Sequence, residues 1–185
     1  MPLQIINSFA TWILKKRIHQ MELFLKYPHE VQDELLLSLI KSAENTQIGR
    51  KYDFSSMKNY TTFSDRIPVS TYEELEPLIE LTRKGEQNVF WHSNIKWFAK
   101  SSGTTNAKSK FIPVSSEALE NCHYKASKDL LCLYLNNNED SQLFTGKSLR
   151  LGGSKQLYED NNTFFGDLSA ILIDNMPIWA EFSST

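Results

Sequence analysis

The chain has 185 residues, 41% of them hydrophobic, and a formal net charge of −2 from 20 basic and 22 acidic side chains. That apolar content supports a real core and excludes an intrinsically disordered chain, and the near-neutral balance supplies no basic field for nucleic acid or an anionic membrane surface. The two cysteines, Cys122 and Cys132, suit neither a zinc pair nor a redox pair, which leaves a reduced cytoplasmic setting as the default.

Ile5, Phe9, Trp12 and Ile13, then Met21, Phe24 and Leu25, recur at three and four residues and predict one helix from about Leu3 to Tyr27. Core packing explains this stripe better than a helix lying on a membrane surface. Lys15, Lys16 and Arg17 follow the apolar part, the reverse of a secretory leader. No apolar run approaches the roughly 20 residues that span a bilayer. Pro28 suits the first turn of a second helix, with Leu35, Leu36, Leu39, Ile40 and Ala43 as its buried stripe. Asn45, Thr46 and Gly49 end it. A loop and a short helix are expected from Tyr52 to Arg66. Ser70-Thr71-Tyr72-Glu73 reads as a capping box, Pro77 as a division of the helix that follows, and Gly85 as its C-terminal glycine.

Two strands, Ile95 to Lys100 and Lys110 to Val114, flank the most distinctive stretch. Pro113 places the second strand at a sheet edge or at its own end. Between them Ser101, Ser102, Thr104 and Thr105 crowd four hydroxyls around Gly103, and Lys108 and Lys110 follow. Backbone N–H groups, hydroxyls and positive charge are what one phosphate needs, and Gly103 permits a positive φ and a close approach. Neither the P-loop pattern nor the dinucleotide fingerprint is present. On residue chemistry alone, a polar hairpin turn with solvated lysines fits equally well. Ser115 caps a predicted long helix ending near Leu135, with Ala118, Cys122, Ala126, Leu130 and Leu133 on one face. Asn136 to Asp140 is a turn, Lys147 to Leu151 a strand closed by Gly152-Gly153, and Ala170 to Met176 a last segment capped by Gly166-Asp167. His19, His29, His92 and His123 show no metal-ligand spacing, so no metal site is assigned.

The run Trp97 to Thr105, with Lys108 to Val114, resembles the phosphate-binding motif of the GH3 family of acyl acid–amido synthetases, adenylate-forming enzymes known from plants and also present in bacteria. Ile67 to Glu73, Lys84 to Asn88 and Gly166 to Ser169 look like the same family, and a bacterial-type member is the expectation. Ala107 departs from the pattern, since many adenylate-forming loops carry a second glycine near that point. The resemblance implies an α/β fold: the N-terminal part of an adenylate-forming large domain, helical at first and then strand–phosphate loop–strand–helix. It implies that residues 1–185 form a single incomplete domain of a longer enzyme, the remainder lying C-terminal to residue 185, with an exposed apolar face where that part docks. The implied chemistry is ATP-dependent activation of a carboxylic acid as an acyl-adenylate, then amide formation with an amino acid, with Mg2+ accompanying ATP. Ser101, Ser102, Gly103, Thr104, Thr105 and Lys110 are the expected ATP-phosphate contacts, and no catalytic residue is assigned. His123 and Tyr124 are weak candidates for the acyl-acid pocket that the family's post-loop helix helps to line. The alternatives are an acyl-CoA ligase, which shares the loop and differs in its acceptor, and a non-catalytic nucleotide-binding or interaction module. Neither nucleic acid nor a membrane is expected as a partner.

Overall fold

In the computed structural model, which describes residues 2–101, 109–146, 158–160 and 162–177, the N-terminal stripe builds two helices rather than the single one expected. Helix α1 runs Pro2–Lys15 and α2 runs Ile18–Lys26. Between them the Lys16 and Arg17 N–H groups bond only three residues back, to Ile13 and Leu14. Arg17 sits at the break and pairs with Asp129, 112 residues away, and with Gln20 at 2.7 Å. Local periodicity carries no record of such a long-range pair. Helix α3 (Pro28–Ala43) opens on its proline and buries Ile40 and Ala43. Leu35 and Leu39 stay exposed, so only part of the expected stripe is used.

Fully buried Thr46 then caps α4 (Gln47–Lys51). Its hydroxyl accepts the Gly49 N–H at 3.0 Å and donates to the Ala43 carbonyl at 2.7 Å. A Cβ on Gly49 would drive into the carbonyl oxygens of Ala43 and Glu44, so this turn closes only around glycine. A single 3-10 turn (Phe54–Ser56) and α5 (Tyr60–Arg66) fill the next segment, as expected.

Helix α6 (Tyr72–Arg83) corrects two expectations. Its cap is Thr71 with Glu74, one residue later than Ser70 with Glu73. This register turns Tyr72, Leu75 and Ile79 toward the sheet and buries Thr82. Pro77 does not divide the helix. It lies in the second turn, where the missing N–H costs one bond to the Glu73 carbonyl, and the packed residues on either side hold the helix continuous. Gly85 ends it at φ +98°, with the Gly85 and Glu86 N–H groups bonded to Thr82 and Leu81. That is the expected glycine C-terminus, in Schellman form.

The sheet has the order β2-β1-β4-β3, from β1 (Trp97–Lys100), β2 (Phe111–Val114), β3 (Tyr158–Asp160) and β4 (Thr163–Gly166). Strand β1 pairs antiparallel with β2 and parallel with β4. Both strands around the loop are where the sequence places them, and among the described residues β2 is at an edge of the sheet, consistent with Pro113. The β3–β4 hairpin was not read from the sequence. Its turn holds Asn162 at φ 67°, a conformation asparagine tolerates better than most residues. The expected strand at Lys147 to Leu151 lies outside the described residues.

The two faces of β1 build two cores. Ala99, with Trp97 beside it, packs against Val114, Leu119, Tyr124 and Ile171; Phe98 packs with Ile79 and Ile95 under α6. Ser115 caps the helix after β2, as expected, but this helix is not uniform. It runs α7 (Ser116–Ala118), a π-helical segment (Leu119–Tyr124) and α8 (Lys125–Asn137). The π segment sets buried Leu119 and Tyr124 five positions apart, and Cys132 and Leu135 follow on the inner side. That extra residue rotates the predicted face outward: Leu130 and Leu133 are exposed, and so is Cys122. Helix α9 (Leu168–Asp174) has Asp167 at its N-cap position; its Ala170 and Ile171 are buried, Ile171 in one cluster with Ala99 of β1.

Helices α1 and α2 pack on α8 yet leave Ile5, Phe9, Trp12, Leu23 and Leu25 exposed, Leu25 at 84%. A Gly49→Ala change should destabilise the fold by about 1–3 kcal/mol, because the new methyl meets backbone rather than a yielding side chain. Urea unfolding would show it as a lower midpoint at unchanged slope.

Candidate functional site

The hydroxyl-rich loop grows from the end of a two-stranded ladder. Phe98, Ala99 and Lys100 pair with Pro113, Ile112 and Phe111. One bond beyond the last pair, the Ser101 N–H donates to the Lys110 carbonyl at 2.9 Å. The hairpin is thereby closed at its root, and both Ser101 and Lys110 are half-buried there. Ser102, Gly103, Thr104, Thr105 and Lys108 lie outside the described residues, so of the six expected contacts the structure places Ser101 and Lys110.

Lys110 is held from below by α6. Its Nζ is 3.0 Å from Glu73 Oε1 and 4.9 Å from the centre of the Tyr72 ring. The Lys110 hydrogen bond is the main reason the Glu73 carboxyl is held below the ordinary carboxylate range. Tyr72 also accepts the Phe111 N–H on its hydroxyl at 2.9 Å. At the other end of α6, the Arg83 guanidinium lies 5.0 Å from the centre of the Phe111 ring and 5.8 Å from that of Phe165. The sequence reading missed Tyr72 and Glu73 as neighbours of the loop. It had them in a capping box, and only the one-residue shift of that box frees Glu73.

Gly166 pairs with Ala99 across the parallel β1–β4 ladder. The Gly166 to Ser169 stretch therefore begins beside Ala99, two residues before Ser101 at the root of the loop. On the far side of β2, Glu117 of α7 accepts the Ser93 hydroxyl at 2.7 Å and lies 3.6 Å from His92 Nε2. Partial burial pushes its carboxyl pKa up, but the Ser93 hydroxyl and further donors outweigh this and hold it below the ordinary range. Tyr124 sends its hydroxyl to the Leu172 carbonyl at 2.8 Å, which ties the π segment to α9. Burial, with the charges of Glu120 and Asp174, pushes its ionisation up to about 12. The hydroxyl is thus committed to the fold rather than offered to a ligand. His123 is half-buried in the same segment.

No group of three or more His, Cys, Asp or Glu side chains among the described residues could hold a metal ion. No described helix is long and apolar enough to cross a membrane. Open surface clefts lie along α3 and the Phe54–Ser56 turn, lined by Leu37, Ile40, Phe54 and Met57 or by Gly49 and Arg50.

Residues 17–185 match the model of the GH3 family N-terminal domain. Among curated relatives, the chain is 29% identical over 106 residues to an indole-3-acetic acid-amido synthetase, GH3.2, of Arabidopsis thaliana, which covers 57% of this chain and 19% of the relative. It is 27% identical over 143 residues to jasmonoyl–L-amino acid synthetase JAR4 of Nicotiana attenuata, covering 75% of this chain and 24% of the relative. The solved structure of the GH3.15 acyl acid amido synthetase superposes with a TM-score of 0.74 at 21% identity, covering 89% of this chain and 29% of that one. At that identity the likeness is one of fold. The chain thus spans about a quarter or less of the curated relatives it matches here. These relatives are plant proteins, and the expectation of a bacterial-type member finds no support in them.

Tyr124→Phe removes a partly buried hydroxyl–carbonyl bond and should cost about 1 kcal/mol at neutral pH. An ionisation raised in the fold favours the neutral phenol there. The contribution of Tyr124 is therefore complete below its ordinary value of 10.0 and lost as pH climbs toward about 12. Urea unfolding at pH 8 and pH 11 should show the wild type losing more stability than the Phe variant.

Proposed function

The chain belongs to the GH3 family, and from that premise we propose that it is the phosphate-binding part of an acid-activating ligase. The observation that carries this reading is the hairpin closed by Ser101 and Lys110, which sets a lysine ammonium at the root of a loop rich in hydroxyls. The relatives' names, amido synthetases of indole-3-acetic and jasmonic acids, support amide formation as the overall reaction.

In the proposed reaction, a substrate carboxylate oxygen attacks the α-phosphorus of ATP and pyrophosphate leaves. The amine of an amino acid then attacks the acyl carbon of the mixed anhydride, loses a proton, and expels AMP. Charge accumulates on the phosphate oxygens in the first step, and donors already aimed at it lower the barrier. Ser102, Thr104 and Thr105 are proposed to donate hydroxyl and backbone N–H groups, Gly103 to turn the chain close to the phosphate, and Ser101 to anchor the loop's first residue. Lys110 is proposed to neutralise the charge of the nucleotide phosphates. Mg2+ is expected with ATP. Among the described residues Glu73 faces Lys110 and Glu117 faces Ser93, so no ligand set is assigned and no step is placed on the metal. A cytoplasmic setting and a single domain continued by further chain complete the proposal.

The test is exchange of labelled pyrophosphate into ATP, on the longest natural form of the protein, across a panel of carboxylic acids. Exchange that depends on one acid is the expected result. Trial of amino acids against coenzyme A then separates amide synthesis from thioester formation. Tight Mg-ATP binding with no exchange for any acid would replace the ligase with a nucleotide-binding module. Thr104→Ala and Lys110→Ala should each lower exchange about ten- to a hundredfold, as expected for one lost hydrogen bond to a charged group. The 185 residues alone should synthesise no amide.

A further inference from the structure

Two adjacent residues of α6 hold two adjacent residues at the exit of the loop. Tyr72 accepts the Phe111 N–H and Glu73 accepts the Lys110 ammonium, at 2.9 and 3.0 Å. Backbone and side chain are gripped together. Neither contact is needed to start the helix, because Thr71 and Glu74 already complete the cap: Glu74 Oε2 accepts the Thr71 N–H at 2.7 Å. Nor is either needed to fix α6 on the sheet, since Ile79 is buried there and Arg83 covers Phe111 and Phe165. What the pair does fix is the direction of a long cationic side chain.

We propose that Glu73 is a positioning residue for the phosphate loop: it sets Lys110 in the orientation from which it meets the nucleotide. The inference rests on the function proposed above. A lysine ammonium has three donors and no fixed geometry, and a free stem must give up much rotamer freedom when it binds an anion. With the ammonium donating to Glu73 and lying over the face of the Tyr72 ring, that freedom is spent before ATP arrives. Two donors remain for phosphate oxygens. The carboxylate is exposed enough that solvent screens its repulsion of the ligand. The ordering gain therefore outweighs the repulsion, and removing Glu73 weakens nucleotide binding rather than strengthening it.

The experiment measures Mg-ATP affinity by calorimetry, and KM for ATP by pyrophosphate exchange, on the longest natural form. Glu73→Gln keeps the shape and loses the charge, and Glu73→Asp keeps the charge on a shorter stem. Glu73→Gln should raise Kd and KM for ATP about two- to fivefold, the range expected of an exposed ion pair, with kcat and the KM of the acid unchanged. Glu73→Asp should recover part of the loss. In a Lys110→Ala background Glu73→Gln should have no further effect, which a purely structural role would not predict. Equal weakening in both backgrounds, tighter ATP binding, or no change while Lys110→Ala weakens binding would each overturn the positioning role and leave the ligase reading intact. If Lys110→Ala also leaves Kd unchanged, the role of the lysine falls with it. Absence of exchange in the wild type bears on the ligase reading alone, because Kd still decides the positioning role; absence of ATP binding ends both.

Discussion

Both faces of β1 have to be kept dry, and the rest of the described fold follows from that. The strand is four residues long and is flanked by β2 and β4, so its backbone groups are spent on both sides. Phe98 has no exposed surface and stacks on Phe165 with ring centres 5.6 Å apart. Trp97, on the opposite face, stacks on Phe164 at 4.7 Å. Burying one such ring stabilises by roughly 1.5–3 kcal/mol, and a ring pair adds about 0.5–1.5 kcal/mol more. Those gains exist only if α6 covers one face while α7, the π segment and α9 cover the other. The helical layers are therefore a consequence of how short and how apolar the central strand is.

The same constraint delivers the candidate site. Strand β1 is paired on both sides, so the chain leaves it only at its C-terminal end, where Ser101 opens the hydroxyl-rich stretch. Because β2 returns beside β1, Lys110 comes back to within one hydrogen bond of Ser101. Because β4 runs parallel to β1, Gly166 arrives beside Ala99. Because α6 lies across β2, its first turn reaches the end of the loop, and the partners of Lys110 come from there. Three stretches that resemble one family in sequence are thus brought to one end of one sheet by backbone pairing and apolar packing, before any ligand chemistry is invoked.

Much of this was legible locally. Gly85 requires a positive φ, Ser115 offers an oxygen to a free N–H, and Pro113 cannot donate within a sheet. Each of these facts depends on a residue and its nearest neighbours, and each expectation held. The failures share a different cause. Arg17 breaks the first helix where it meets Asp129, far along the chain. Thr71 displaces Ser70 as the cap because the later start brings Tyr72 and Ile79 onto the sheet. The π segment adds one residue to a turn and moves Leu130 out and Leu135 in, and only the surfaces it packs between decide that count.

The amino-acid sequence by itself determined the family, the strand–loop–strand order, the hydroxyls and lysine of the candidate site, and most helix ends. These are local in origin: turn chemistry, caps and the residue types a phosphate needs are written in runs of a few residues. The tertiary structure alone decided which side of each helix is inside, the pairing of Ala99 with Gly166, and the contact of Glu73 with Lys110. Those outcomes rest on residues far apart in the chain, and the free energy that selects them is the burial of β1 from both sides, which no single stretch contains.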